Sequence, residues 1–288
     1  MQALPKSSLP RDLYIDLLKR ALSNTIYVEP EGHISPELLD KAKRALVSVK
    51  ALYGKELAVS NSPMSQLIRM NDINMLAGSM RAMQSFAHTM TDQTGIANVE
   101  QCVRTVVEEK IPGDLLEAGV WQGGLTILMR GVLKAYGVTE RVVWVADSFQ
   151  GLPEPSDESG LDDKIAYHFT SYVGLLAVSL EKVRHNFSVY GLLDDQVRFL
   201  EGFFCDTLPT APVGPLALMR LDGDWYDSTR DSLVNLYPKL QPSGYCIIDD
   251  YGLPLGCRKA VDDYRAEHRI TEPIVWVNDQ TVYWRRAK

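Results

Sequence analysis

The chain has 288 residues, enough to bury a full apolar core, and its 45% hydrophobic and 23% charged content is that of a globular protein. A net charge of −7 argues against a broad phosphate-backbone footprint, so nucleic acid is not an expected partner. No apolar run reaches the roughly eighteen residues that a membrane-spanning helix needs, the opening MQALPKSSLPRDLY lacks an apolar signal core, and Cys102, Cys205, Cys246 and Cys257 form no C-x-x-C pair; the expectation is a cytoplasmic protein with reduced thiols.

Residues 11–28 set Leu13, Ile15, Leu17, Leu18, Ala21 and Leu22 on a helical stripe. A second helix is expected over 35–53, with Ser35 as cap and Pro36 in the first turn, before Asn61-Ser62-Pro63 interrupts the chain. Residues 64–90 carry Met64, Met70, Met75, Met80, Met83 and Met90, which reads as gap-filling core or as an adaptable lid over an apolar ligand. No β-alternation precedes residue 114. The first 87 residues are therefore expected to form a helical lid or oligomerisation segment ahead of a core over 88–288, and a homodimer through those helices is one reading.

The helix at 95–110 leads into the stretch LLEAGVWQGGLTILMRGVL, Leu115 to Leu133. It reads as a short strand ending at Glu117, a turn with Gly119, Gly123 and Gly124, and an amphipathic helix. That is the usual mount for a nucleotide-like ligand, although a strand-to-helix turn that binds nothing has the same outline. The spacing is E-x-G-x-x-x-G-G rather than the dinucleotide fingerprint G-x-G-x-x-G, which suits S-adenosylmethionine, a ligand with no pyrophosphate to place on the helix end.

Downstream the pattern alternates: strands at 142–146, 197–200, 216–221 and 245–248, helices at 175–190, 229–240 and 258–268, and a closing hairpin from Ile274–Val277 and Thr281–Trp284. An α/β fold results, a mostly parallel sheet finished by an antiparallel last strand.

Functional residues in such a sheet lie beyond the C-terminal strand ends, and these strands end in acids: Glu117, Asp147, Glu201, Asp222 with Asp224, and Asp249-Asp250. Asp147 stands where an acid can accept both ribose hydroxyls, and Glu201-Gly202 where an adenine ring commonly lies. Asp222, Asp249 and Asp250 come from neighbouring strands and are expected to converge on a hard divalent cation such as Mg²⁺, or else on a network neutralised by Arg220, Arg258 or Lys259. Such an ion acidifies an acceptor hydroxyl, and a carboxylate takes its proton: Asp222 first, Asp224 in its place. His88 and His168 are further candidate bases.

The strings GDLLEAGVWQGG, VVWVADSFQGLPEP, VRFLEGFFCDTLP, RLDGDWYDST and IIDDY together resemble the macrocin O-methyltransferase family, as does the N-terminal LYIDLLKRALSNTIY. The resemblance implies a Rossmann-like class I fold with a seven-stranded sheet, dependence on S-adenosylmethionine and Mg²⁺, and methylation of a hydroxyl on a small natural-product acceptor, usually a deoxysugar of an antibiotic. It places metal ligands on Asp222, Asp249 and Asp250 and the general base on Asp222. It places cofactor contacts on Thr89, Met90, Glu117, Gly119, Gly123, Asp147, Ser148, Glu201, Gly202 and Phe203, and substrate contacts on Tyr167, His168 and Gln280. The segment between Tyr27 and His88 looks longer than in the family's sugar-modifying members, which leaves the acceptor open among glycoside, polyketide and peptide hydroxyls. An NAD-dependent oxidoreductase predicts a dinucleotide fingerprint and a Tyr/Lys or Ser/Tyr pair, neither of which is found. A non-catalytic scaffold has little reason to keep three converging aspartates.

Overall fold

Alternation of buried side chains with period two builds the centre of the molecule. Leu115, Val143, Val145, Leu218, Tyr245 and Ile247 face one apolar layer, and Leu116, Ala118, Trp144, Ala146, Met219, Leu221, Cys246 and Ile248 face the other. Both faces of the sheet are thus covered, as a parallel sheet requires. The computed structural model describes residues 9–26, 36–70, 87–156, 159–174, 176–253 and 255–287.

In chain order the elements are α1 (Pro10–Leu22), α2 (Pro36–Val59), α3 (Pro63–Met70), α4 (Gln93–Glu108), β1 (Asp114–Ala118), α5 (Gly124–Ala135), β2 (Val143–Asp147), α6 (Leu161–Val173), α7 (Leu180–Val189), β3 (Val197–Glu201), the short α8 (Phe204–Thr207), β4 (Leu216–Leu221), α9 (Tyr226–Leu236), β5 (Leu240–Ile248), α10 (Cys257–Glu267), β6 (Val275–Trp276) and β7 (Val282–Arg285). The seven strands lie in the order β3-β2-β1-β4-β5-β7-β6, with β7 antiparallel to both of its neighbours. The reversed closing strand expected from the sequence is present. Strand order turns back on itself between β1 and β4, and the crevice beyond their C-terminal ends is where an open α/β sheet binds ligands.

Several boundaries differ from expectation: the helix expected at 229–240 is Tyr226–Leu236, and the strand expected at 245–248 begins at Leu240. The helix expected at 175–190 begins only at Leu180, and a separate helix, α6, precedes it. Its signal is Leu161, Ile165, Phe169 and Val173 at helical spacing behind Gly160, with Asp162 and Asp163 in the first turn. The second helix runs to Val59 rather than Tyr53, where the backbone leaves helical geometry without ending the element. Ser35, Met75, Met80 and Met83 lie outside the described residues.

The N-terminal helices divide between two partners. Ile15, Leu18 and Leu22 of α1 join the apolar cluster built by β1, α4 and α5. Leu46, Val49 and Leu57 of α2 and Ile68 of α3 gather around Ile165 of α6. Among the described residues no helix is long and apolar enough to cross a membrane.

On the opposite face Trp284 is fully buried, its Nε1 donating to the Tyr237 hydroxyl at 3.2 Å and the Arg265 guanidinium lying 4.7 Å from its ring. Trp284→Ala should lower the unfolding free energy by roughly 3–5 kcal/mol, measured by urea titration; a loss below about 1 kcal/mol would show that the closing strand does not hold that half of the core.

Candidate active site

The loops after β1, β2, β4 and β5, the segment 87–92 and the turn of the closing hairpin surround one crevice. An inner cavity is lined by Gly119, Asp147, Ser148, Leu152, Pro153, Phe203 and Phe204, among others. A wider cleft beside it is lined by Thr89, Glu117, Arg220, Asp249, Asp250 and the hairpin residues Asn278 to Thr281, among others. Met90, Trp121, Leu176, Asp222 and Asp224 line both.

The glycine turn is built for close approach of protein to protein. Gly119 has φ +87, and a Cβ there would sit 1.9 Å from the Asp222 carbonyl, so a side chain would push apart the ends of β1 and β4. Gly124 opens α5; its N–H donates to the His88 carbonyl at 2.9 Å, and a Cβ would sit 2.2 Å from that oxygen. The helix end that carries phosphate in dinucleotide folds is here occupied by the segment that brings Thr89 and Met90 to the crevice. Non-glycine residues in the left-handed region stand at three of these strand ends: Trp121 (φ 50), Phe149 (φ 56) and Asp224 (φ 53). Each costs about 1–2 kcal/mol, a strain typical of functional turns.

Asp147 is fixed by backbone donors. Its Oδ2 accepts from Val120 N at 2.7 Å and Trp121 N at 3.3 Å, and its Oδ1 from Phe149 N at 2.8 Å. Burial nonetheless raises its pKa. Ser148 is buried and donates to the Gly151 carbonyl at 2.6 Å.

The carboxylates beyond β1, β4 and β5 are organised by Arg220. Glu117 and Arg220 are register partners on adjacent strands, and each is almost fully buried. Arg220 Nη1 donates to Glu117 Oε1 at 2.5 Å and Asp222 Oδ2 at 2.9 Å; Nη2 reaches Asp249 Oδ1 at 2.7 Å and Thr91 Oγ1 at 3.2 Å. Asp249 Oδ1 also accepts from Thr281 Oγ1 at 2.9 Å. Burial acts to lower the guanidinium pKa, but Asp249, Asp222 and Glu117 outweigh it and hold the group well above its ordinary value.

Arg220 does not neutralise the whole cluster. Asp222, Asp224 and Asp250 each offer an oxygen within 4.8 Å of the others, and Asp250 Oδ2 accepts from Asp224 N at 2.9 Å. Burial, then mutual repulsion, pushes the Asp224 pKa up to about 8 and that of Asp222 to about 7, and raises that of Asp250 strongly. Burial likewise pushes Glu117 up to about 8, and its Oε2 is buried without a hydrogen-bond partner. Such a set still asks for positive charge. Oxygens on one Mg²⁺ lie about 3.0 Å apart when adjacent and about 4.2 Å when opposite, so these carboxylates would have to draw together to hold a hard cation.

Thr89, Met90, Glu117, Gly119, Asp147, Ser148, Phe203, Asp222, Asp249, Asp250 and Gln280 all line the crevice. Other expected residues stand elsewhere. Gly123 is the N-cap of α5, with φ +84. Glu201 ends β3 exposed, and Gly202, which donates to the Asp147 carbonyl at 2.9 Å, lies behind the Phe203-Phe204 wall. Tyr167 and His168 lie on α6 rather than in a loop, and His168 Nε2 shares a 2.9 Å hydrogen bond with Ser48 Oγ of α2; neither lines the two spaces described. The His88 ring meets the Tyr190 hydroxyl at 2.8 Å. The expected metal ligands were Asp222, Asp249 and Asp250; the carboxylate oxygens within 4.8 Å of one another are those of Asp222, Asp224 and Asp250, while Asp249 and Asp222 both touch Arg220. Sequence reasoning passed over Trp121, Leu152, Pro153, Leu176 and Phe204 as wall residues. VWQGG and QGLPEP held a signal for three of them, large apolar side chains within glycine-containing loops at strand ends.

Comparison with known proteins decides the assignment. Residues 11–286 match the model of the family described as Macrocin-O-methyltransferase (TylF). The chain belongs to the macrocin O-methyltransferase family. It is 45% identical over 278 residues (96% of this chain, 94% of the relative) to the 8-demethyl-8-(2,3-dimethoxy-alpha-L-rhamnosyl)-tetracenomycin-C 4'-O-methyltransferase of Streptomyces olivaceus. It is 43% identical over 277 residues (96% of this chain, 97% of the relative) to the mycinamicin III 3''-O-methyltransferase of Micromonospora griseorubida. The solved structure of the O-methyltransferase NovP superposes with a TM-score of 0.75 at 40% identity, covering 96% of this chain and 100% of that one. The calicheamicin methyltransferase CalS11, at 20% identity and a TM-score of 0.53 over 90% of this chain and 99% of that one, shares the fold. The protein is thus a methyltransferase on a class I sheet. End-to-end matches to relatives of equal extent also correct the expectation of an added segment between Tyr27 and His88.

Gly124→Ala should drive the His88 carbonyl away from α5 and displace Thr89 and Met90, weakening donor affinity at least tenfold, about 1.4 kcal/mol, in calorimetry while the far-ultraviolet spectrum stays unchanged. Unaltered affinity would mean that the 87–92 segment is not a wall of the pocket.

Proposed function

We propose that this protein transfers the methyl group of S-adenosylmethionine to a hydroxyl oxygen of a glycosylated bacterial secondary metabolite, with Mg²⁺ bound by the aspartates of the crevice. The observation that carries the reading is the shared wall: Asp222 and Asp224 border both the inner cavity and the wider cleft. A donor seated in the first and an acceptor seated in the second therefore meet at carboxylates.

The inner cavity suits an adenosyl group. Phe203, Phe204, Leu152 and Pro153 supply an apolar slot for a flat ring, and Asp147 holds acceptor oxygens toward a ribose. Glu117 lines the wider cleft, so its unpartnered Oε2 suits the donor's ammonium group with the donor's amino-acid end extending out of the inner cavity into that cleft. The wider cleft mixes Trp121, Leu176 and Leu253 with Asn278, Asp279 and Gln280, which fits a polar sugar ring carried on an apolar body. Relatives named for a rhamnosylated tetracenomycin and for mycinamicin III support a sugar hydroxyl over a peptide one.

Asp222, Asp224 and Asp250 would hold the cation. Asp249 touches Arg220 and Thr281 through Oδ1 and stands outside that group, so it would steady the site from beside the ion. When bound, the cation supplies Lewis acidity that lowers the pKa of an acceptor hydroxyl. Asp222, between the two spaces, takes the proton as the oxygen attacks. The sulfonium leaves as a neutral thioether, so no acid is needed on the donor side. The rest is alignment: the walls fix donor and acceptor at attack distance and exclude bulk water.

Turnover should be abolished by EDTA and restored by added Mg²⁺, read with labelled donor and a set of glycosylated acceptors. Undiminished transfer in chelator would remove the role given to the aspartates. Asp222→Asn should lower kcat by roughly 10²–10⁴ with donor affinity unchanged; lost affinity with retained turnover would assign that carboxylate to the donor instead.

A further inference from the structure

Arg220 is the penultimate residue of β4, in a strand otherwise apolar over Leu216–Leu221. Its four partners come from four different places: Glu117 ends β1, Asp222 follows β4, Asp249 follows β5, and Thr91 lies in the segment that leads into α4. That segment carries Thr89 and Met90 to the crevice, and its Asp92 Oδ1 accepts from Asn278 Nδ2 of the closing hairpin at 3.1 Å. We infer that Arg220 is a positioning residue that couples the donor pocket to the acceptor-side aspartates, one guanidinium setting both the 87–92 wall and the orientation of Asp222 and Asp249. This rests on the methyl-transfer reading for which side is donor and which is acceptor; the charge linkage itself does not.

The physical reason is geometric as well as electrostatic. Nη1 serves Glu117 and Asp222 together while Nη2 serves Asp249 and Thr91, so a planar fork ties all four at once. A single ammonium on a shorter reach cannot do this. Without the guanidinium, Glu117, Asp222 and Asp249 face one another in a buried site and turn apart, taking the donor wall and the proton acceptor out of register together. A charge with a merely structural role would affect melting but would not link donor affinity to the state of Asp249.

The experiment compares the full-length protein with Arg220→Met, Arg220→Lys and the double variant Arg220→Met/Asp249→Asn. Melting is followed by calorimetry in EDTA, and S-adenosylmethionine affinity by titration. Arg220→Met should melt roughly 10 °C below the wild type, and the double variant should recover at least half of that loss because the surplus charge is gone. Donor affinity should fall roughly tenfold or more in both single variants, including Arg220→Lys, which keeps the charge and loses the fork. If Arg220→Met does not fold, Arg220→Lys carries the test alone, through affinity and turnover falling together. The inference is overturned if Arg220→Lys binds donor and turns over like the wild type, or if removing Asp249's charge leaves the Arg220→Met melting point where it was. A wild type that binds no S-adenosylmethionine would sink the methyl-transfer reading instead, and the charge rescue would still stand or fall by itself.

Discussion

A guanidinium buried in the centre of a parallel sheet holds three acids at the sheet's C-terminal edge, and the remainder of the crevice is arranged around that contact. Removing one partner from a buried ion pair typically costs about 3–5 kcal/mol, a large share of what keeps a domain of this size folded. Arg220 escapes that penalty only because Glu117, Asp222, Asp249 and Thr91 all reach it. Those residues arrive from separate strands and from a segment upstream of β1, so the contact can form only when β1, β4 and β5 are in register. The sheet thus positions the acids, and the acids in turn pin the sheet's edge.

The same arrangement explains why charge is left over. One guanidinium offsets part of a group of five carboxylates, Glu117, Asp222, Asp224, Asp249 and Asp250. Burial first, and repulsion among the carboxylates after it, raises the proton affinities of Glu117, Asp222, Asp224 and Asp250. On the proposed reading, a divalent cation held by Asp222, Asp224 and Asp250 would relieve that repulsion, so that catalytic acidity and structural relief would come from one ion. Methyl transfer from a sulfonium asks little more of a protein than this, because its barrier falls mainly through alignment and removal of one proton.

Much of this was readable in the chain. Strand ends announce themselves because an apolar run stops at an acid: LALMRLD and CIIDD place Asp222 and Asp249 correctly without any structure. Two things escaped. Helix α6 begins with two acids and mixes Tyr167 and His168 among its apolar positions, which blurs a periodicity that its packing against α2 makes plain. The division of labour between Asp249 and Asp224 was unreadable because it depends on which carboxylate rotates toward a buried arginine, a choice made by side-chain geometry rather than by spacing. The glycine turn is read from the sequence as making room for a ligand; Gly119 lines the inner cavity, and Gly119 and Gly124 also allow the close approach of strand end and upstream segment.

The walls of the two spaces are drawn from largely different parts of the chain. The inner cavity takes its own lining from the loops after β1, β2 and β3, whereas the outer cleft takes its own from the 87–92 segment, Leu253 and the turn of the terminal hairpin. On the proposed reading, substitutions in that hairpin turn would alter what the cleft admits, and through the Asn278–Asp92 hydrogen bond they would also reach the 87–92 segment. Were the acceptor seated there, a lineage could change what it methylates through a short surface turn while the aspartates of the crevice stay fixed. Enzymes named for acceptors as unlike as a tetracenomycin glycoside and a mycinamicin are each more than two-fifths identical to this chain.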